Sequence, residues 1–211
     1  MHAVVQNRTI MVETNISASV RQQLRWKVTG PRAVVALAVW SVAYAGYRAY
    51  YALGGQIGQI GQPVSAGEYR AINAVGAGII ALAGVLPLVA IRVGPLRRAL
   101  PAIGWLGAVG CCMHALVDIS LRLLSVTGVR PTQLPSTVWR SLDRQLADLQ
   151  DLLLNEPWFF VEGLLWGALG FGFVQASRQR AWVVTALGAC AVLTAVGLLT
   201  GLGAIGSFHL G

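Results

Sequence analysis

Charge is scarce in this chain: only 11% of its 211 residues are Asp, Glu, Lys or Arg, against 55% hydrophobic. A soluble domain needs more polar surface than that, so the composition excludes an ordinary globular fold in water. Cysteine is scarce too. Cys111 and Cys112 are adjacent and Cys190 lies in another apolar stretch. None sits in a loop and no CxxC spacing occurs, which argues against an exported disulfide framework and leaves the three as small apolar residues. Acidic residues are the rarest charges, 8 against 16 basic, for a formal net charge of +8. In a soluble protein that excess would suggest nucleic acid. In a hydrophobic chain it reflects the Lys and Arg that collect in cytoplasmic loops, so no nucleic-acid partner is expected. No motif names a reaction.

What the chain has in abundance is apolar sequence, with a mean hydropathy of +0.63 and 25 glycines. The pattern predicts an all-α, polytopic transmembrane bundle of five spans at about 33–53, 71–91, 102–124, 158–176 and 181–202. Residues 1–31 form a basic arm with Arg8, Arg21, Arg25 and Lys27, in which Ser17 to Lys27 offers a weakly amphipathic helix. Ala43-Tyr44-Ala45 before Gly46 imitates a signal cleavage site. The first apolar run is nevertheless read as an uncleaved anchor. A GGQIGQIGQP turn run follows, and the second span carries Gly76, Gly78 and Gly84 for close helix contact and Pro87 as a kink.

Between spans three and four lies the only sizeable loop. Within it, about 137–154 reads as an amphipathic surface helix capped by Ser136, with Val138, Leu142, Leu146, Leu149 and Leu153 on its apolar side. Spans four and five each contain a GxxxG, Gly163 with Gly167 and Gly197 with Gly201. In so glycine-rich a chain these support close packing and say little about dimerisation.

Orientation follows from the basic residues. Ten lie outside the spans on the side of the arm, the Arg92 to Arg98 loop and the Arg178 to Arg180 turn, against four on the other side. The N-terminus is therefore expected in the cytoplasm and the C-terminus outside, in a plasma membrane. The partners implied are the lipid bilayer, with a homo-oligomer or larger membrane complex left open.

The third span carries His114, Asp118 and Arg122, one every fourth residue, so a helix stacks them on one face. Ionisable groups at membrane depth cost about 2.5–3.5 kcal/mol each on insertion scales, so each is expected to find a partner. Arg48 in the first span and Glu162 in the fourth fall at a similar depth below the outer surface. Tyr44, Tyr47 and Tyr51 share the Arg48 side of the first helix. The eight residues form one candidate network near the outer leaflet.

Four readings of that network remain open. As a ligand site, Arg48 and Arg122 would contact a small polar or anionic molecule, with His114, Asp118 and Glu162 setting protonation. As a catalytic site, His114 would act as a base oriented by Asp118 on a lipid headgroup, but no nucleophile is apparent. As a metal site, His114, Asp118 and Glu162 would be the ligands. A ligand set normally comes with a clearer cluster, so neither a metal nor a cofactor is expected. The plainest reading pairs Arg48 with Glu162 and Arg122 with Asp118 to neutralise buried charge.

Arg48-Ala-Tyr-Tyr-Ala-Leu-Gly-Gly55 resembles a basic residue, aromatic, Ala-Leu-Gly-Gly segment in a family of small uncharacterised actinobacterial membrane proteins. Asn155-Glu156-Pro157-Trp158-Phe159 followed by Gly163 is similar to a Pro-Trp-Phe segment that opens a late helix in the same family. The resemblance implies a multi-span topology, usually of four spans where five are read here, and no assigned activity. The expected function is a non-enzymatic ligand-binding or accessory membrane component, with a solute or proton-coupled transporter and a lipid-headgroup enzyme as alternatives. Five spans without visible inverted repeats make an autonomous transporter less attractive.

Overall fold

The computed structural model describes residues 32–131 and 137–205, and they are mostly helical. The basic arm, its Ser17 to Lys27 helix and the Ser136 cap lie outside the described residues. The first described helix, α1, covers residues 32–52. α2 (Ala66–Ala90) begins where Ser65 Oγ accepts from the Glu68 N–H at 3.3 Å, and it carries Pro87 inside. α3 (Gly94–Val126) starts with proline in its first turn, where the missing N–H leaves no bond unmade. α4 (Arg144–Gln150) is capped by Asp143, runs into a π-helical turn (Asp151–Asn155) and continues as α5 (Glu156–Phe173). A 3-10 turn (Ala176–Arg178) then leads into α6 (Gln179–Gly201).

Small residues set the helix contacts, as their abundance predicts. A Cβ at Gly104 would stand 2.5 Å from Gly170 Cα, and one at Gly163 would stand 3.0 Å from the Cys112 backbone nitrogen, so α3 and α5 meet almost backbone to backbone. Gly197 and Gly201 of α6 lie against Val117 and Leu121 of α3, and Gly84 of α2 lies against Ser41 and Ala38 of α1. Both GxxxG pairs are thus used within the chain. Gly78, by contrast, faces open space. Val34, Leu37, Ala90, Leu100, Trp166 and Leu169 form the buried apolar core. They come from the start of α1, the end of α2, the start of α3 and the later turns of α5, so the core fills one end of the bundle.

The other end is covered by a small sheet that the sequence does not announce. β1 (Gly61–Pro63) pairs antiparallel with β2 (Trp139–Leu142), with Gly61 opposite Leu142 and Gln62 opposite Ser141. A side chain at Gly61 would collide with Ser141 O.

The expected spans are met in part, and the expected amphipathic helix needs correction. Where five spans are expected, three helices among the described residues are long and apolar enough to cross a membrane: α2, α3 and the continuous stretch Ala176–Gly201. α1 and α5 are not among them, because α1 carries Arg48 and four tyrosines while α5 has 18 residues that include Glu156 and Glu162. The amphipathic helix of about 137–154 is also not what forms. Its first part is β2, and the helical remainder is not a separate surface element but runs through the π turn into α5.

That continuation reverses the expected polarity. Leu146, Leu149 and Leu153 are exposed, Leu153 at 76%, while Ala147 and Asp148 are buried. The acidic face points inward because a basic side chain of α3 is there to meet it. The turn before α5 widens to the π form next to Pro157, which has no N–H to donate and whose ring crowds the carbonyl four residues earlier.

Candidate functional site

The polar residues at the sheet-covered end come from α1, α2, α3 and the α4 to α5 segment, and they sort into three groups rather than one network. Arg122 of α3 reaches two acids of the descending segment, with Nη1 3.0 Å from Asp148 Oδ1 and Nη2 2.6 Å from Asp151 Oδ2. Asp148 also accepts from Ser125 Oγ at 2.5 Å. From Asp151 the hydrogen bonds continue toward α1. Asn155 Nδ2 donates to Asp151 Oδ1 at 2.7 Å, and the Tyr44 hydroxyl donates to Asn155 Oδ1 at 2.9 Å. The π turn sits in the middle of this chain of contacts, aiming Asp151 and Asn155 at two different helices.

Two turns before Arg122 on α3, His114 Nε2 lies 3.6 Å from Asp118 Oδ2 and 3.7 Å from Glu156 Oε2. The imidazole packs edge-on against Phe159, 4.9 Å between ring centres. The donor atoms of His114, Asp118 and Glu156 all fall within 4.8 Å of one another. Glu156 is the buried member, its side chain 5% exposed against 48% for His114. Glu156 Oε2 makes no hydrogen bond among the described residues.

A third group surrounds a cavity of about 190 Å³ beneath the sheet, lined among others by Tyr47, Arg48, Tyr51, Asn73, Asn155 and Asp151, whose carboxylate is held by Arg122. Arg48 lies over Gly76 of α2, where a Cβ would stand 3.4 Å from its Nε. No ion pair or hydrogen bond holds its guanidinium among the described residues. Asn73, 2% exposed, donates from Nδ2 to Tyr69 O at 2.9 Å while its Oδ1 is left without a partner. Tyr51 donates to Ile57 O at 3.1 Å and lies edge-on to Tyr47 and Tyr69, stiffening the wall.

Both pairings of the plainest sequence reading fail. Arg48 does not meet Glu162, which is buried between α1 and α5 and accepts from Ser41 Oγ at 3.0 Å. Ser41 lies seven residues before Arg48, about 10 Å along the helix, so Glu162 sits two turns deeper than expected. The error comes from starting the late helix at Trp158, when its helical column extends back through the π turn to Arg144. Asp118 does not pair with Arg122, because Asp148 and Asp151 occupy that guanidinium. Of the three tyrosines, Tyr44 joins the Arg122 contacts through Asn155, whereas Tyr47 and Tyr51 line the cavity.

Sequence reasoning missed Asn73, Ser125, Asp148, Asp151, Asn155 and Glu156. The signal was the spacing of Asp148, Asp151 and Asn155, which places polar groups on one face of a helix. Asp148 and Asp151 fall on the polar side of the amphipathic helix expected at about 137–154. No protein-family model, curated protein or solved structure matches this chain.

Proposed function

We propose that this chain is a non-enzymatic integral-membrane protein that binds a small anionic ligand in the cavity beneath the sheet, with Arg48 as the anion contact. The observation that carries this reading is a cation without a carboxylate partner facing the same cavity as a buried, half-satisfied Asn73. A buried amide oxygen is normally paired, so Asn73 Oδ1 left open beside the partly buried Arg48 guanidinium marks a place for a polar guest. The size restricts that guest. About 190 Å³ is room for about six water molecules' worth of liquid, below the range of roughly 300–1,000 Å³ typical for drug-sized ligands. A small organic or inorganic anion fits better than a lipid.

In the proposed placement, α1 and α5 cross the membrane beside α2, α3 and α6, giving five spans with the sheet outside. α6 has no residue buried within the chain, as a helix facing lipid should. Taking Arg97 and Arg98 as the inner boundary, about 30 Å of hydrocarbon at 1.5 Å per residue ends near Asp118. Arg122 and its acids then lie at headgroup level, where paired charge is tolerated. The apolar core at the opposite end speaks against a path through the bundle, and so against transport.

The test is thermal unfolding of the full-length protein in detergent with inorganic phosphate or a short dicarboxylate, and with chloride as the control. A stabilisation that rises with anion concentration and is lost in Arg48→Gln supports the reading. Equal stabilisation of wild type and Arg48→Gln, or none by any anion, overturns it.

A further inference from the structure

The structure assigns a second site, for a divalent first-row transition-metal ion, to His114, Asp118 and Glu156. The three residues belong to two helices and meet only because α5 begins, at Glu156, level with the third turn from the end of α3. His114 and Asp118 are an i, i+4 pair on one face, which points both donors the same way.

The geometry suits an ion better than it suits the residues themselves. At 3.6 and 3.7 Å the imidazole nitrogen is too far from either carboxylate for a normal hydrogen bond. A tetrahedral centre with bonds of about 2.0–2.1 Å holds its donors about 3.4 Å apart. The nitrogen therefore needs to move only a few tenths of an ångström relative to each oxygen, and the carboxylates, within 4.8 Å, close together by side-chain rotation. Each residue offers one ligand atom, so a fourth position is free on the exposed side of His114.

A second, independent observation comes from Glu156. Its side chain is 5% exposed to solvent, and Oε2 faces His114 with no hydrogen-bond donor among the described residues. A carboxylate oxygen buried in that state is costly unless a cation meets it. Among the described residues the only cation facing that oxygen is the His114 imidazole, and only when it is protonated. Arg122 is committed to Asp148 and Asp151, so four carboxyl groups share one guanidinium and one imidazole. A divalent ion at this point offsets the excess. One nitrogen and two carboxylate oxygens favour zinc, iron or manganese over magnesium or calcium, which take all-oxygen sets.

The site is separate from the Arg48 cavity, and its test does not depend on that reading. Full-length, tag-free protein stripped with a chelator is titrated with Zn²⁺ and, separately, Mg²⁺, following heat release and thermal midpoint. Cobalt substitution reports the geometry through its visible spectrum. One Zn²⁺ per chain, a raised midpoint, no response to Mg²⁺ and a tetrahedral Co²⁺ spectrum are expected. Glu156→Gln and His114→Gln should each weaken Zn²⁺ binding by at least about tenfold. His114 is half exposed, so its variant keeps the test decisive should the Glu156 variant fail to fold. Unchanged Zn²⁺ binding in His114→Gln overturns the proposal. So does wild-type protein that takes up no Zn²⁺, or a Glu156→Gln variant that gains stability while wild type ignores the metal.

Discussion

Arg122 and Asp148 face each other at 3.0 Å, with the aspartate 2% exposed and the arginine 13% exposed by side chain. Their contact ties α3 to a segment that is otherwise apolar on its outer face, and Asp151 closes the other side of the same guanidinium at 2.6 Å. One cation thus fixes the angle at which the chain re-enters the bundle.

Removing that cation should be the most damaging single change at this end. Arg122→Ala leaves Asp148 and Asp151 as adjacent, uncompensated carboxylates, and truncating one partner of a buried ion pair costs about 3–5 kcal/mol. Asp148→Asn should cost clearly less, because Arg122 keeps Asp151 and the amide can still accept from Ser125. Reversible unfolding in mixed micelles measures both. Equal losses would mean that Arg122 is held by something other than these acids.

Apolar periodicity carried the helical architecture because hydrophobic length and a 3.6-residue repeat are local properties. Partner choice is not local. Glu162 and Arg48 have opposite charge and similar nominal depth, yet two turns separate them, because the π turn beside Pro157 extends the α5 column back to Arg144. Glu156 was assigned to a loop for the same reason, which hid its approach to His114 and Asp118. The sheet escaped notice because its strands are three and four residues long, and because β2 begins inside a stretch with a credible helical stripe. Glycine was more informative: Gly163, Gly197 and Gly201 stand at the interhelical contacts that their spacing suggested.

Gly104 offers a sharp test of the α3 and α5 contact. An added methyl group there meets Gly170 Cα at 2.5 Å and Trp166 O at 2.8 Å, both backbone atoms that cannot rotate aside. Gly104→Ala should therefore lower stability by about 1–3 kcal/mol. Gly78→Ala, where nothing stands within 4 Å, should be neutral or stabilise by up to about 1 kcal/mol through helix propensity. Unfolding midpoints of the two variants decide, and a tolerated Gly104→Ala would disprove the close crossing.

The proposed orientation makes opposite ends of the bundle chemically distinguishable. Gln56, in the exposed loop after α1, should face outward, whereas Ser177, in the exposed turn before α6, should face the cytoplasm. Cysteine placed at Gln56 should react in intact cells with a membrane-impermeant maleimide, and cysteine at Ser177 only after permeabilisation. The native cysteines are half-buried and set the background in wild type. The opposite labelling pattern would invert the topology and place the Arg48 cavity at the inner surface.

The strongest consequence of the Arg48 reading is that a fixed carboxylate should replace the guest. Asn73 shares the cavity with Arg48 and stands one turn before Gly76, over which the guanidinium lies. Asn73→Asp puts an anion within reach of Arg48 while giving up only the amide's bond to Tyr69 O. An internal pair should form, and competition with it should weaken anion binding at least about tenfold, one factor of ten for each 1.4 kcal/mol of pairing. Stability without added anion should hold or rise, since the cation gains a partner. Titration of wild type and Asn73→Asp with the same phosphate and dicarboxylate series, at fixed ionic strength, reads both effects. A variant that binds anions as wild type does would show that Arg48 is not where the anion sits, because a carboxylate beside the true contact cannot go unnoticed by its ligand.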